Sequence, residues 1–247
     1  MMQKTSWTKL ITIWFAFIIV VLGANALFPK SWNFSTRLIV QELIAIAVIL
    51  TLNYFWIHQP LHFKSDVPAK TILMVNSLTI IVCLQAILVW TQTKNANVET
   101  ALIIGVCAGV TEELLFRGIL LPGTLSHFSG HAGMWRTVLI VSVLFGATHM
   151  VNLGAHQVIE ATLVQGLNAF FLGLFLAALY LRTRSLIWPM LFHGINDFEA
   201  SLGVSGSIIY THGLAILPLL GPWILMLAVS IFLLRKSKTQ RVYEVVE

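Results

Sequence analysis

The sequence predicts an all-α fold, a polytopic membrane protein with a bundle of about eight transmembrane helices, and three observations predict it. Of its 247 residues, 57% are hydrophobic and only 10% are charged, where ordinary globular domains carry about 25% charged residues. Mean hydropathy is +0.86. Apolar runs of roughly 20 residues recur along the chain, and such runs cross a bilayer as helices because backbone N–H and C=O groups cannot stay unpaired in hydrocarbon.

The runs extend from Leu10 to Phe28, Leu38 to Ile57, Thr71 to Thr91, Thr100 to Leu121, Thr137 to Leu153, Val158 to Leu181, Leu186 to Leu202 and Ile208 to Leu234. The seventh is short. The eighth is long and broken by Pro218, Gly221 and Pro222, which predicts a late start or a kink. Lys4 and Lys9, the apolar run to Leu22 and the triplet Ala24, Asn25, Ala26 imitate a cleavable signal peptide. The apolar stretch continues to Phe28, however, and is read as a retained span; cleavage before Leu27 would leave seven. With no repeat, low-complexity tract or soluble segment, residues 1–247 read as one membrane domain, its motif-bearing core at about 100–200.

Lys and Arg concentrate in cytoplasmic segments of membrane proteins. With both termini cytoplasmic, Lys4, Lys9, Lys64, Lys70, Arg117, Arg136, Arg182, Arg184, Arg235, Lys236, Lys238 and Arg241 lie inside, against Lys30, Arg37 and Lys94 outside. This bias fits a multi-pass protein of a cell membrane, and the short loops suggest a bacterial one. The basic residues fall at span ends, with no stripe interleaved with exposed aromatics, so the net charge of +5 points to topology and not to nucleic acid. Cys83 and Cys107 both sit in apolar runs and read as small hydrophobes, without disulfide or zinc spacing.

An ionisable group inside a span costs on the order of 3 kcal/mol on insertion scales, so it generally faces a protein interior or a wet cavity. The fourth span holds Glu112, Glu113 and Arg117 in "GVTEELLFRGIL". Glu113 and Arg117 are four apart and share a helix face, as an ion pair would. Glu112, turned away by about 100°, lacks that partner and is free to accept a proton from water. The fifth span carries Phe145 and His149 in "FGATHM", and the seventh carries His193, Asn196 and Asp197 in "FHGINDF". Counted from the cytoplasmic ends at about 1.5 Å per residue, Glu112 lies roughly 14 Å deep, His193 roughly 14 Å and His149 roughly 20 Å. One carboxylate and two imidazoles at similar depth are what a buried catalytic site requires.

The series Glu-Glu-x-x-x-Arg at 112, 113 and 117, Phe-x-x-x-His at 145 and 149, and His-x-x-x-Asp at 193 and 197 resembles the CPBP family of intramembrane endopeptidases. That family includes the CAAX prenyl endopeptidases, the Abi proteins and bacteriocin-processing or self-immunity proteins. The resemblance spans about 90 residues, from Thr111 to Phe198. It implies an eight-helix bundle that hydrolyses peptide bonds in a cavity open to the cytoplasm. Glu112 and His149 would position and deprotonate the attacking water, His193 and residue 197 would stabilise the oxyanion, and Glu113 with Arg117 would support the site. Position 197 departs from the pattern: the prenyl endopeptidases have Asn where this chain has Asp. Asp197 would then stay protonated, orient His193, or leave oxyanion donation to His193 alone. Glu112, His149 and His193 also form a ligand set suited to catalytic Zn2+; the resembled prenyl enzymes are described as glutamate proteases, which favours no obligatory metal. The implied partners are the lipid bilayer and a peptide or protein terminus as substrate, with bacteriocin precursors or membrane peptides fitting the chain's compact length better than prenylated proteins. The residues indicate no oligomeric state.

Other readings compete. A transporter or bacteriocin-immunity protein could use Glu112, His149, His193 and Asp197 as a proton or cation relay. A rhomboid-like serine protease is suggested only by "GVSG" at Gly203 to Gly206, without a placed base. Phe145 reads as packing. His58, His62, His127, His131, His156 and His212 fall in loops or at span edges. Glu42 and Glu160 lie near outer span ends, within reach of headgroups, and Asn76 and Gln85 suit interhelical hydrogen bonds. Pro122 to Trp135 reads as an interfacial segment or a lip of the cavity.

Overall fold

The computed structural model describes residues 4–93, 97–202, 217–239 and 242. Most of these residues are helical, with no strand among them. In chain order they are α1 (Trp7–Leu27), α2 (Phe34–Leu52), α3 (Ala69–Val75), α4 (Ser77–Gln92), α5 (Val98–Leu115), α6 (Leu121–Leu125), α7 (Gly130–Thr148), α8 (Ile159–Thr183), α9 (Ile187–Leu202) and α10 (Leu217–Leu233). π-turns extend α2 through Asn53–Ile57 and α5 through Phe116–Leu120, and a 3-10 stretch, His149–Ala155, follows α7. Side-chain caps start three helices: Ser6 Oγ accepts from Lys9 N, Asn33 Oδ1 from Thr36 N and Asn97 Oδ1 from Thr100 N, each satisfying an amide the helix cannot.

Each of the eight apolar runs contains helix, though fewer helices meet a strict test of length and apolarity. Four do so among the described residues, Trp7–Ala24, Phe34–Ile57, Gly130–Gly154 and Ile159–Thr183, and α3 with α4 makes a fifth span bent by 57°. The bend is at Asn76, whose Nδ2 donates to the Ile72 carbonyl at 3.0 Å and whose Oδ1 accepts from Thr79 Oγ1. Asn76 therefore bonds within its own break, and only Gln85 makes the expected bond between helices, to Glu199 at 2.6 Å. α5 and α9 fall outside the test because α5 carries three glutamates and α9 has 16 residues. They are the helices that meet in the polar interior. In the eighth run, residues 208–216 lie outside the described part, as does "GVSG"; from Leu217 the helix runs through Pro222.

Apolar side chains also point outward. Ile11, Phe15 and Ile19 of α1 and Ile80, Leu84, Ile87 and Leu88 of α4 are exposed, as expected where lipid, not water, is the solvent. Packing between helices depends on small residues, since lipid gives apolar faces no drive to associate. α5 and α9 form the most extensive pair, crossing on Gly105, Gly109 and Gly194. A Cβ at Gly109 would lie 2.8 Å from the Met190 carbonyl oxygen, and one at Gly194 would lie 2.9 Å from that of Gly105. α7 meets α8 in the same way, with Gly146 against Gly166 and Gly173 against Ser142. Gly109→Val is therefore expected to lower the thermal midpoint of the detergent-solubilised protein, by the 1–3 kcal/mol typical of overpacking or more, because the obstructing atoms are backbone.

Pro122 to Leu125 corrects an expectation. This stretch is a short helix with every residue buried, Leu125 at 0% exposure, so it is packed inside the protein; only the residues around Ser129 to His131 lie at its edge.

Candidate active site

Three segments bring the polar residues together. The α5/α9 crossing sets Glu112, Glu113 and Arg117 beside His193 and Asp197, and the end of α7 supplies Phe145 and His149. A π-turn begins at Phe116, three residues after Glu113, and contains Arg117; such turns recur at functional sites, where one extra residue re-aims the side chains that follow.

Glu113 and Arg117 form the expected pair, with Nη1 to Oε1 at 2.7 Å and both side chains at 0% exposure. Glu113 does more than pair. The same Oε1 is 2.9 Å from His193 Nδ1, so one carboxylate ties α5 to α9. Arg117 Nη2 donates to the Gly173 carbonyl at 3.2 Å, tying in α8, and its guanidinium lies 4.5 Å from the Phe145 ring centre. A charge with this many partners is tolerated without water.

His193 thus has its Nδ1 engaged, and its Nε2 faces two more acids: Asp197 Oδ2 at 3.5 Å and Glu112 Oε2 at 3.9 Å. Glu112 Oε2 is buried without a hydrogen-bond partner in the protein, while the Glu112 side chain as a whole is 19% exposed. Asn196 is the neighbour that meets Asp197. Its Nδ2 donates to Asp197 Oδ1 at 3.3 Å.

His149 stands across an aromatic ring from this cluster. Phe145 lies edge-on to both imidazoles, 5.5 Å from His149 and 5.6 Å from His193 between ring centres, and also meets Phe116 at 4.9 Å. Phe145 therefore spaces the two histidines and seats the guanidinium, more than packing alone. His149 Nδ1 lies 3.0 Å from the Phe145 carbonyl oxygen; a carbonyl only accepts, so Nδ1 carries the proton and Nε2 keeps its lone pair. Among the described residues, no three His, Cys, Asp or Glu side chains are grouped to hold a metal ion. Glu112, His149 and His193 as placed do not form the zinc ligand set that their types allow.

Residues 93–198 match the family model described as Type II CAAX prenyl endopeptidase Rce1-like. This segment is Rce1-like. It covers somewhat under half of the 247 residues and takes in every residue of the three motifs. Over this segment the chain is similar to a family of CAAX prenyl endopeptidases. Curated proteins and solved structures give no match to the chain.

The remaining expectations divide. Glu160 is exposed in the first turn of α8, where a negative charge suits the helix dipole. His127 and His131 do not stay solvated; their Nε2 atoms bond the carbonyl oxygens of Thr5 and Leu234 at 2.6 and 2.8 Å. Glu42 does not reach the headgroups. It is 7% exposed and turned toward α5, on the stripe Glu42, Ala45, Ile49 that α2 buries. The spacing of an acid three and seven residues before buried apolar positions was the available signal.

Proposed function

We propose that the chain is an intramembrane endopeptidase in which Glu112 and His149 activate a water and His193 steadies the oxyanion. The observation that carries this is the polar cluster on which α5, α7 and α9 converge inside a largely apolar bundle, within the Rce1-like segment. Water attacks the scissile carbonyl carbon, and its proton passes to Glu112, whose Oε2 has no partner in the protein. His149 Nε2 accepts a hydrogen bond from the same water and so orients it. The carbonyl oxygen takes the electron pair and is met by His193 Nε2–H. When the C–N bond breaks, the proton held on Glu112 goes to the leaving amine.

Of the three roles open to Asp197, the distances favour orientation. Glu113 holds the imidazole at Nδ1 at 2.9 Å, while Asp197 stands 3.5 Å from Nε2, near enough to steer the ring electrostatically and too loose to occupy the Nε2–H that meets the oxyanion. Because Arg117 is fully buried and paired, it leaves the topological tally; the remaining basic residues divide eleven to three, which supports cytoplasmic termini and a site reached from the cytoplasmic side of a cell membrane. A cavity of about 700 Å³ lies between α4, α9 and α10, lined among others by Gln85, Phe192, Asn196 and Glu199; Asn196, which bonds Asp197, is its link to the polar cluster. Peptide segments entering from the bilayer, prenylated or not, fit this setting.

The test compares the peptides released by membranes carrying the wild type with those from membranes carrying Glu112→Gln, which keeps shape but loses the base. Products seen with the wild type alone are the expected result. Identical peptide profiles combined with a proton or cation flux dependent on Glu112 would replace the protease with the relay.

A further inference from the structure

Behind Glu112, away from His193, lies a second polar feature. Glu42 projects from α2 against α5 and is 7% exposed. Its Oε1 accepts from Gln41 Nε2 at 3.0 Å, while its Oε2 is buried without a partner. The Thr111 hydroxyl, at 0% exposure, faces this carboxyl but closes no hydrogen bond of normal geometry with it. Thr111 is the residue immediately before Glu112, whose Oε2 is the third buried oxygen without a partner, and the Glu42 and Glu112 carboxyls are close enough to interact electrostatically. Cys107, one turn before Thr111, also faces Glu42.

Three buried polar atoms left open in a row are expensive in a membrane interior, where the alternative partner is hydrocarbon. They persist where they exchange bonds with one another or with a reactant. A buried acid in a span is also functional by default. We propose, resting on the peptidase reading above, that Glu42 is a positioning residue. Through the Thr111 hydroxyl it fixes the backbone and carboxylate of Glu112 for attack on the substrate side. The carboxyl of Glu42 touches neither water nucleophile nor substrate. Its effect travels through α5, so it acts on turnover and not on peptide affinity.

The experiment uses the full chain in detergent or liposomes and a quenched fluorogenic peptide, either farnesylated with a C-terminal Cys-aliphatic-aliphatic-X sequence or spanning a cleavage site found in membranes. Glu42→Leu is expected to lower kcat at least tenfold with KM within twofold, and to leave the thermal midpoint equal or higher, since an apolar side chain replaces a poorly partnered buried acid. Glu42→Gln, which keeps the shape and a polar group facing the Thr111 hydroxyl, is expected to retain kcat within threefold. Thr111→Val should reproduce the loss, and the double variant Glu42→Leu/Thr111→Val should lose no more than either alone. Wild-type kcat in Glu42→Leu, or additive losses in the double variant, overturns the proposal while Glu112→Gln remains inactive and the peptidase reading stands. A midpoint that falls in step with kcat across the variants overturns it in favour of a purely structural acid. Absence of any wild-type cleavage overturns both.

Discussion

Arg117→Ala is expected to destabilise the folded protein by about 3–5 kcal/mol, the range seen when one partner of a buried ion pair is removed. The reason is the company that Arg117 keeps. Its loss leaves Glu113 charged at 0% exposure with only His193 to answer it, empties the face of Phe145, and frees the Gly173 carbonyl of α8. Three helices lose a common anchor at once. The double variant Glu113→Leu/Arg117→Met is expected to recover much of this stability, because two apolar side chains of similar volume remove both charges together. Recovery stays incomplete, since His193 Nδ1 then lacks its acceptor at about 1–3 kcal/mol. The double variant should also fail to cleave peptide, its imidazole no longer gripped on the Nδ1 side. Thermal unfolding in detergent and peptide cleavage by the same preparations measure the two effects. A double variant both stable and active would show that Glu113 serves Arg117 alone.

Spacing along one helix made the Glu113–Arg117 pair legible in the sequence, because i and i+4 side chains meet whatever surrounds them. The same rule gave Phe145 with His149 and His193 with Asp197. Meetings between helices were less visible. The bond from Glu113 to His193 requires α5 and α9 to touch at Gly105, Gly109 and Gly194, and although the glycines are plain in the sequence, nothing local says which helix each one admits. Phe145 as a spacer between two imidazoles has the same origin. Glu42 was misjudged through depth: counting along a straight span puts it near a membrane surface, while burial depends on which way α2 is rotated, and the stripe with Ala45 and Ile49 turns it inward. The bend at Asn76 escaped notice because an Asn that bonds its own helix and one that reaches a neighbour look alike in a sequence.

Glu112→Gln and His149→Gln are each expected to lower kcat by about 10²–10⁴, the usual contribution of a positioned general base. Their combination should cost little more than the worse of the two, because both act on one water and the second residue has nothing to orient once the first is gone. The two proposed roles differ in a way that variants at His149 can read. His149 is held in one tautomer by the Phe145 carbonyl, so its Nε2 can only accept, and His149→Gln, whose amide both donates and accepts, keeps part of the orientation that His149→Phe would remove. The order of kcat expected is therefore wild type, then His149→Gln, then His149→Phe. His193→Gln should behave differently from both. Losing an oxyanion donor weakens the transition state by a factor on the order of 10²–10³, but it leaves the water activated, so its loss should multiply with that of Glu112→Gln instead of merging with it. Single-turnover rates for the four single and two double variants, with unfolding midpoints measured alongside, distinguish these patterns. Additive losses for Glu112 and His149 would mean that they do not share a water, and the division of labour drawn from the Phe145 spacer would have to be abandoned.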